Sequence, residues 1–275
     1  MLKVGIDDTA TMSGTVAGWC FAGLDDAATI TLEATAKQIL SQYGLTAFHA
    51  RHFGGEPHQA YDDFLDAFKS AALLSSWRVC ACSLYDRATQ AALFPSFENV
   101  LGNSLSNAGV SDPAEVAAVR TIAPGLLTLQ RLTKDLEGPA ELSVWIDADD
   151  FTRGRLSGAL DFDGAELPAQ HALAVLYNAY ADRAFPKAPR LSKAGLVITD
   201  DHSSVLVQAA DVIGNFSTSY ILSELGATSG TRVAKAKIFT RHFDVPNAAF
   251  LRQHVVRKGD DIELVSSGAF TFSLA

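Results

Sequence analysis

The sequence predicts an α/β protein in which helices flank a mixed β-sheet. Two apolar-alternating segments near the start are joined by a short polar turn, as in a β-hairpin. Later strand-like segments are separated by amphipathic helices, which favour parallel pairing. With 275 residues of which 48% are hydrophobic, the chain has ample material for a core.

The first predicted strand is Lys3 to Asp7, with Val4 and Ile6 on one face and Gly5 and Asp7 on the other. A polar turn that contains Gly14 separates it from a second strand. This second strand is predicted at Thr15–Leu24. Apolar patterns predict further strands at Trp77–Leu84, Glu141–Asp147 and Gly195–Thr199.

Helices are predicted from apolar periodicity and from their capping residues. Pro57 opens an amphipathic helix, and Asp112 followed by Pro113 is a typical helix start. The other predicted helices are Glu33–Tyr43, Ala169–Asp182 and Val205–Leu225. Residues 226–275 alternate polar and apolar side chains, as in KIFTRHF and DIELVSSGAFTFS, and favour further strands. We therefore expect one domain over 1–275, with a core of 1–225 and a β-rich C-terminal extension of 226–275.

The net charge of -9 argues against an extensive nucleic-acid-binding surface. The charge is uneven, however, because Arg232 to Lys258 contains seven basic residues and one acid. This stretch is either a solvated face or a source of attraction for a phosphate-bearing substrate. No run of apolar residues is long enough for a membrane helix, and the N-terminus does not resemble a signal peptide. We expect a soluble cytoplasmic protein without a membrane partner.

The three cysteines are few and odd in number. Cys80 and Cys82 alternate along a predicted strand, which places both on one face. Two cysteines alone do not complete a zinc site. The sequence therefore favours free thiols in a reducing compartment, for Cys20 as well.

Acidic residues cluster where three predicted strands end. These acids are Asp7 and Asp8, then Asp147, Asp149 and Asp150, and finally Asp200 and Asp201. Turns favour aspartate in any protein, which is one explanation. The other is that the strand ends bring the acids together, where they would repel each other unless a hard cation such as Mg²⁺ or Mn²⁺ binds.

A polar stripe interrupts the apolar helix SSVLVQAADVIGNF. Gln208, Asp211 and Asn215 are spaced three and four residues apart, so they share one helix face. This face is either exposed to solvent or part of a functional site. A lone acid among Val, Ala, Ile and Gly is poorly explained by solubility.

These motifs resemble the family known as domain of unknown function 3800. IDDTA, with Asp7, is similar to the start of that family, and DDHSSVLVQAADVIG is similar to its closing signature. FHARHF, with His49, and VWID, which ends at Asp147, are similar to its middle elements. The segment Asp8-Thr9-Ala10 departs from the usual Ser-Gly of that family, as does Ala209 where Leu is more usual.

The resemblance implies a ribonuclease H-like fold with a site for two divalent metal ions, Mg²⁺ or Mn²⁺, held by carboxylates. Carried over, the metal-binding and catalytic residues are Asp7, Asp147, Asp200 and Asp211, with Gln208 orienting a ligand or a water. Accessory positions are Asp8, His49, His202 and Ser204. Two such ions clamp the attacking and leaving oxygens of a phosphodiester.

The sequence thus predicts a divalent-metal-dependent phosphodiesterase or nuclease that acts on nucleic acid at a compact site. The alternative is a catalytically silent module of the same fold that binds nucleic acid or a protein partner. Neither a phosphate-binding P-loop nor a GxSxG nucleophile elbow is present in the sequence.

Overall fold

The computed structural model describes residues 1–8, 16–86, 95–107, 109–156, 169–227, 229–259, 261–266 and 270–274. The predicted polar turn around Gly14 lies outside these ranges, as do Thr9, Ala10 and the segment 267–269. Within the described residues, no helix is both long enough and apolar enough to cross a membrane.

Seven strands of the described chain form one mixed sheet, which confirms the predicted α/β class. These strands are β1 (Leu2–Asp8), β2 (Val16–Asp25), β3 (Arg78–Asp86), β4 (Glu141–Asp147), β5 (Arg190–Thr199), β6 (Phe243–Asp244) and β9 (Phe270–Leu274); β7 (Val255–Lys258) and β8 (Asp261–Leu264) form a separate hairpin. The order in the seven-stranded sheet is β5-β4-β1-β2-β3-β9-β6. β1 is parallel to β4, and β4 is parallel to β5, whereas the remaining neighbours pair antiparallel.

The helices cover both faces of this sheet. On one face, α1 (Asp26–Tyr43), α2 (His58–Leu74), α7 (Val205–Glu224) and α8 (Gly230–His242) share an apolar core with β2 and β3. On the other, α3 (Pro95–Asn107), α4 (Pro113–Thr133) and α6 (Ala169–Ala184) pack on β1, β4 and β5. Short helices α5 (Asp150–Leu156) and α9 (Ala248–His254) complete the described set, with 3-10 turns at His52–Gly54 and Asp201–Ser203.

β1 has the predicted two-faced character. Val4 and Ile6 are fully buried in the core shared with α4 and α6. Gly5 faces α7, and an ideal Cβ on Gly5 would lie 2.2 Å from the carbonyl carbon of Leu206. The missing side chain therefore lets the α7 backbone pack directly against β1.

The predicted β-rich nature of residues 226–275 is wrong in part. The segment KIFTRHF, expected to be a strand, lies in α8 up to His242, and only Phe243 begins β6. Ile238, Phe239 and His242 are buried at helical spacing. Over so short a segment, such a pattern cannot be distinguished from the alternation of a strand. The strands expected further along are present as β8 and β9.

Several boundaries differ from the prediction. α1 begins at Asp26, well before the predicted Glu33, because the Asp25 carboxylate caps the helix by accepting from the Ala28 N–H. β5 begins at Arg190 instead of Gly195, and α3 and α5 were not predicted. The β4 bounds and the start of α4 at Pro113, capped by Asp112, are confirmed.

The expectation of free thiols is wrong for two of the three cysteines. Cys20 and Cys82 lie opposite each other in the β2–β3 register and are joined by a disulfide bond. Cys80 remains free. Cys80 and Cys82 both pack on the core that contains α2 and α7, as their alternation predicts.

Candidate functional site

Asp7 lies at the end of β1 and is only 5% exposed. Burial raises the pKa of its carboxyl group well above the ordinary value, and the negative charges of Asp211, Asp147 and Asp8 raise it further. Asp7 is also hydrogen-bonded to Asp147. The structure thus brings three of the four predicted metal ligands, and the accessory Asp8, into one electrostatic cluster.

The sheet explains why residues so distant in sequence meet here. β1 and β4 run parallel with Ile6 opposite Ile146, so Asp7 and Asp147 leave the sheet at the same edge. Asp211 arrives from α7, which packs closely on β1 at Gly5. Parallel strands and one glycine therefore position the cluster.

Asp200 is placed differently from the other three predicted ligands. It follows Thr199, which pairs with Asp147 in the β4–β5 register. Its Oδ1 accepts a hydrogen bond from the Ser203 hydroxyl at 2.7 Å. That bond, with smaller contributions from Arg153 and His202, lowers the pKa of Asp200 below the usual value.

The accessory residues His202 and Ser204 lie in the turn between β5 and α7. His202 is exposed within the Asp201–Ser203 turn and contributes to the field at Asp200. Ser204 precedes α7, and its carbonyl accepts from the Gln208 N–H at 3.0 Å. In this arrangement Ser204 contributes backbone geometry to the helix start.

The polar stripe on α7 faces a loop of the protein and not the solvent. Gln208 is 6% exposed, and its Oε1 accepts from the Phe48 N–H at 3.0 Å. Oδ2 of Asp211 accepts from the Ala50 N–H at 2.8 Å and lies 2.8 Å from Nδ1 of His49. The stripe therefore anchors residues 48–50, which we call the His49 loop.

The Asp211 contact orients the His49 imidazole. A carboxylate oxygen that already accepts from a backbone N–H favours a protonated Nδ1 on the histidine. The His49 side chain is 19% exposed and lies beside the ring of His52, with centroids 4.9 Å apart. The predicted accessory position of His49 is thus next to a predicted ligand, Asp211.

A cleft of about 490 Å³ opens beside these residues. Its lining combines acids with two arginines, Arg51 and Arg153, and with the accessory residues Asp8 and His49. Nη1 of Arg153 lies 3.8 Å from Oδ1 of Asp147, and its Nη2 bonds to Asp150. The full lining is Asp8, Trp19, His49, Arg51, Thr121, Ile122, Asp147, Ala148, Asp149, Asp150, Thr152 and Arg153.

The basic stretch from Arg232 to Lys258 does not form one patch. Lys235 is buried, Arg241 bonds to Asp62, and Lys258 pairs with Glu263 at 3.5 Å. Arg257 donates to the carbonyl groups of Gly226 and Gly259. Much of this positive charge therefore has structural partners. Among the described residues, two arginines that no sequence motif indicated, Arg51 and Arg153, line the cleft beside the acids.

The chemistry of the acidic cluster fits a hard divalent cation, because carboxylate oxygens are the ligands that Mg²⁺ and Mn²⁺ prefer. Asp7 and Asp147 are the pair best placed to hold such an ion, since their carboxyl groups interact and Asp147 lines the cleft. Among the described side chains, no three His, Cys, Asp or Glu residues are already arranged as a metal-binding group.

A scan against protein-family models finds no match for the chain. A search of curated proteins finds no significantly similar sequence.

Proposed function

We propose that the chain is a divalent-metal-dependent phosphodiesterase or nuclease of ribonuclease H-like fold, related to domain of unknown function 3800. The observation that carries the proposal is the approach of Asp7 to Asp147 at the ends of β1 and β4, with Asp211 of α7 near enough for its charge to raise the pKa of Asp7. Three carboxylates close together repel one another, which costs free energy, and a bound cation removes that cost.

The sheet supports the fold part of this proposal. Strands β3, β2, β1, β4 and β5 lie side by side in that order, and β2 is antiparallel to both of its neighbours. A central β1 parallel to β4, with an antiparallel hairpin on its other side, is the arrangement expected of a ribonuclease H-like sheet. The acids then occupy the end of the central strand.

The roles of the residues follow from their positions. A bound divalent ion would supply activation of a water molecule and neutralise phosphate charge. Asp7 and Asp147 would hold it, with Asp211 and Asp8 adding negative charge nearby. Arg51 and Arg153 line the cleft and would bind the non-bridging oxygens of a phosphodiester. His49, held by Asp211, would move a proton to or from a reacting oxygen.

One observation favours the second candidate function, a catalytically silent module that binds nucleic acid or a protein partner. Asp200 bonds to Ser203 and lies near Arg153, so the fourth predicted ligand already has partners within the protein. In this alternative, Arg153 compensates the charge of Asp147 and Asp200 in place of an ion. The cleft would then serve binding alone.

Metal binding and cleavage distinguish these two functions. Purified protein, freed of metal with a chelator, would be titrated with Mn²⁺ by calorimetry and assayed on single- and double-stranded DNA and RNA. We expect Asp7→Asn and Asp211→Asn to abolish cleavage and weaken Mn²⁺ binding, while the exposed control Asp135→Asn changes neither. Absence of cleavage together with unchanged Mn²⁺ affinity in both variants would leave the binding module as the function.

A further inference from the structure

Lys235 on α8 is a buried cation whose contacts reach the His49 loop. It is 8% exposed, and its Nζ donates to the Ala50 carbonyl at 2.8 Å and to Oδ1 of Asn215 at 2.7 Å. The ammonium group also lies over the rings of Phe53 and Phe216, at 5.5 and 5.6 Å from their centroids. Burying an ammonium group costs free energy, so packing alone would be served better by an apolar side chain.

Lys235 completes a set of hydrogen bonds that fixes the His49 loop from several elements. From α7, Gln208 accepts from the Phe48 N–H and Asp211 accepts from the Ala50 N–H. From α2, the Tyr61 hydroxyl lies 2.8 Å from the His49 carbonyl and shares its one proton between this carbonyl and the Glu56 carboxylate. From α8, Lys235 supplies the donor for the Ala50 carbonyl. The backbone on both sides of the His49 side chain is thereby held.

Both backbone groups of Ala50 are hydrogen-bonded to buried side chains. Asp211 accepts from the Ala50 N–H, and Lys235 donates to the Ala50 carbonyl. Lys235 also donates to Asn215 on α7, the helix that carries Asp211. Without Lys235, the buried Ala50 carbonyl loses its hydrogen-bond donor. We expect the loop to rotate so that this carbonyl reaches another donor. That rotation would pull the Ala50 N–H and the His49 ring away from Asp211.

We propose that Lys235 is a positioning residue that holds His49 against Asp211 at the edge of the cleft. Its catalytic meaning depends on the proposed function, whereas its effect on His49 does not. Lys235 lies in the C-terminal extension of 226–275, which the family resemblance does not cover. This extension would then contribute to the candidate site. Lys235 acts through the loop, since it is not part of the cleft lining.

The test compares Lys235→Met with Lys237→Met, an exposed lysine on the same helix. In metal-free protein, ¹⁵N NMR of the imidazole nitrogens would report the His49 tautomer, with His49→Gln used to assign its signals. We expect wild-type protein and Lys237→Met to show Nδ1-protonated His49, and Lys235→Met to shift toward the tautomer mixture of a free imidazole. Asn215→Ala, which removes one acceptor of Lys235 and leaves the loop intact, should shift the same signals less, and it serves if Lys235→Met does not fold.

A purely structural role for Lys235 would change the melting temperature and leave the His49 signals of the folded protein in place. Unchanged His49 signals in the folded lysine variant and in Asn215→Ala would therefore overturn the inference, whatever the cleavage assay shows. Cleavage of bis(p-nitrophenyl) phosphate with Mn²⁺ is the second measurement, in which we expect kcat of Lys235→Met to fall on the order of tenfold with little change in KM. The His49 signals can also shift in Lys235→Met although the wild-type protein neither binds Mn²⁺ nor cleaves. That result would refute the proposed function and support the positioning role.

Discussion

Gly5 and Leu206 pack backbone to backbone, and this contact sets the distance between β1 and α7. An ideal Cβ on Gly5 would lie 2.2 Å from the carbonyl carbon and 2.3 Å from the carbonyl oxygen of Leu206. The contact is two residues before Asp7 on β1 and five residues before Asp211 on α7. The separation of these two carboxylates is therefore coupled to the absence of a side chain at Gly5.

We expect Gly5→Ala to destabilise the protein by about 3 kcal/mol, because the helix backbone cannot move aside without disturbing the core. The variant should also weaken Mn²⁺ binding, since α7 carries Asp211 away from Asp7. Thermal unfolding and calorimetric Mn²⁺ titration measure the two effects. Gly102→Ala is the control: its Cβ would meet nothing within 4 Å in α3, so its stability should equal or exceed that of the wild type. Equal stability of Gly5→Ala and Gly102→Ala would contradict the close packing.

Asp7→Asn should stabilise the metal-free protein at neutral pH while it weakens divalent-ion binding. The pKa of Asp7 is raised above its ordinary value of 3.8, so the folded protein holds this proton more tightly than the unfolded chain. The stability that this gives is present at low pH and is lost as the pH rises through the folded-state pKa. We therefore expect a Tm advantage of a few degrees for Asp7→Asn at pH 7 that disappears near pH 3.

The measurement is thermal unfolding of both proteins with chelator between pH 3 and pH 8, limited to the range in which unfolding is reversible. Added Mn²⁺ should raise the Tm of the wild type more than that of Asp7→Asn. Asp135→Asn, which alters an exposed carboxylate, should follow the wild-type curve. A lower Tm of Asp7→Asn at pH 7 would show that the acidic cluster does not repel in the metal-free protein.

Gln208→Leu should cost about 1–3 kcal/mol, because the buried Phe48 N–H loses its acceptor. Gln208→Glu retains an oxygen acceptor at the same place and should retain more of the stability. Hydrogen exchange of the Phe48 and Ala50 amides would report whether the loop is released: we expect faster exchange in the leucine variant. Slow exchange at both amides in Gln208→Leu would mean that Gln208 does not hold the loop.

The Cys20–Cys82 bond predicts a specific thiol count. Denatured, unreduced protein should contain one reactive thiol, from Cys80, and reduced protein should contain three. In the folded state Cys80 should react slowly, because burial raises the pKa of its thiol. A thiol-specific reagent under the three conditions gives these numbers directly.

Reduction should also lower the free energy of unfolding by about 2–4 kcal/mol, as a cross-link between residues far apart in sequence restricts the unfolded chain. Cys80→Ser serves as the control and should respond to reductant as the wild type does. Three reactive thiols in denatured, unreduced protein would establish that the two strands are not cross-linked.

Local patterns predicted those parts of the fold that local physics determines. β4 and the capped start of α4 follow from alternation and from an aspartate–proline pair, and the meeting of Asp7 with Asp147 follows from parallel strands. Lys235 could not be found in this way, because its contact with Ala50 spans 185 residues and a lysine in a basic stretch reads as exposed. The helix α8 was missed since a short segment with alternating side chains fits either period.

The candidate site shows the same division. Asp200 was grouped with the other acids because of its place after a strand, yet a bond to Ser203, three residues away, turns its carboxylate toward the local turn. The α7 stripe was correctly identified as polar, but its partner, the His49 loop, is brought to it by tertiary packing. Sequence spacing identifies which side chains share a face, and the fold determines what that face meets.

The position of β9 beside β3 has a consequence for how the protein is made. β3 ends at Asp86, whereas its outer neighbour begins at Phe270, so nearly the whole intervening chain must be synthesised before this edge of β3 is paired. Until then the N-terminal hairpin and β3 present open backbone donors and acceptors that other chains can pair with. This edge of β3 therefore stays open while residues 87–269 are synthesised, and slower elongation would prolong that interval.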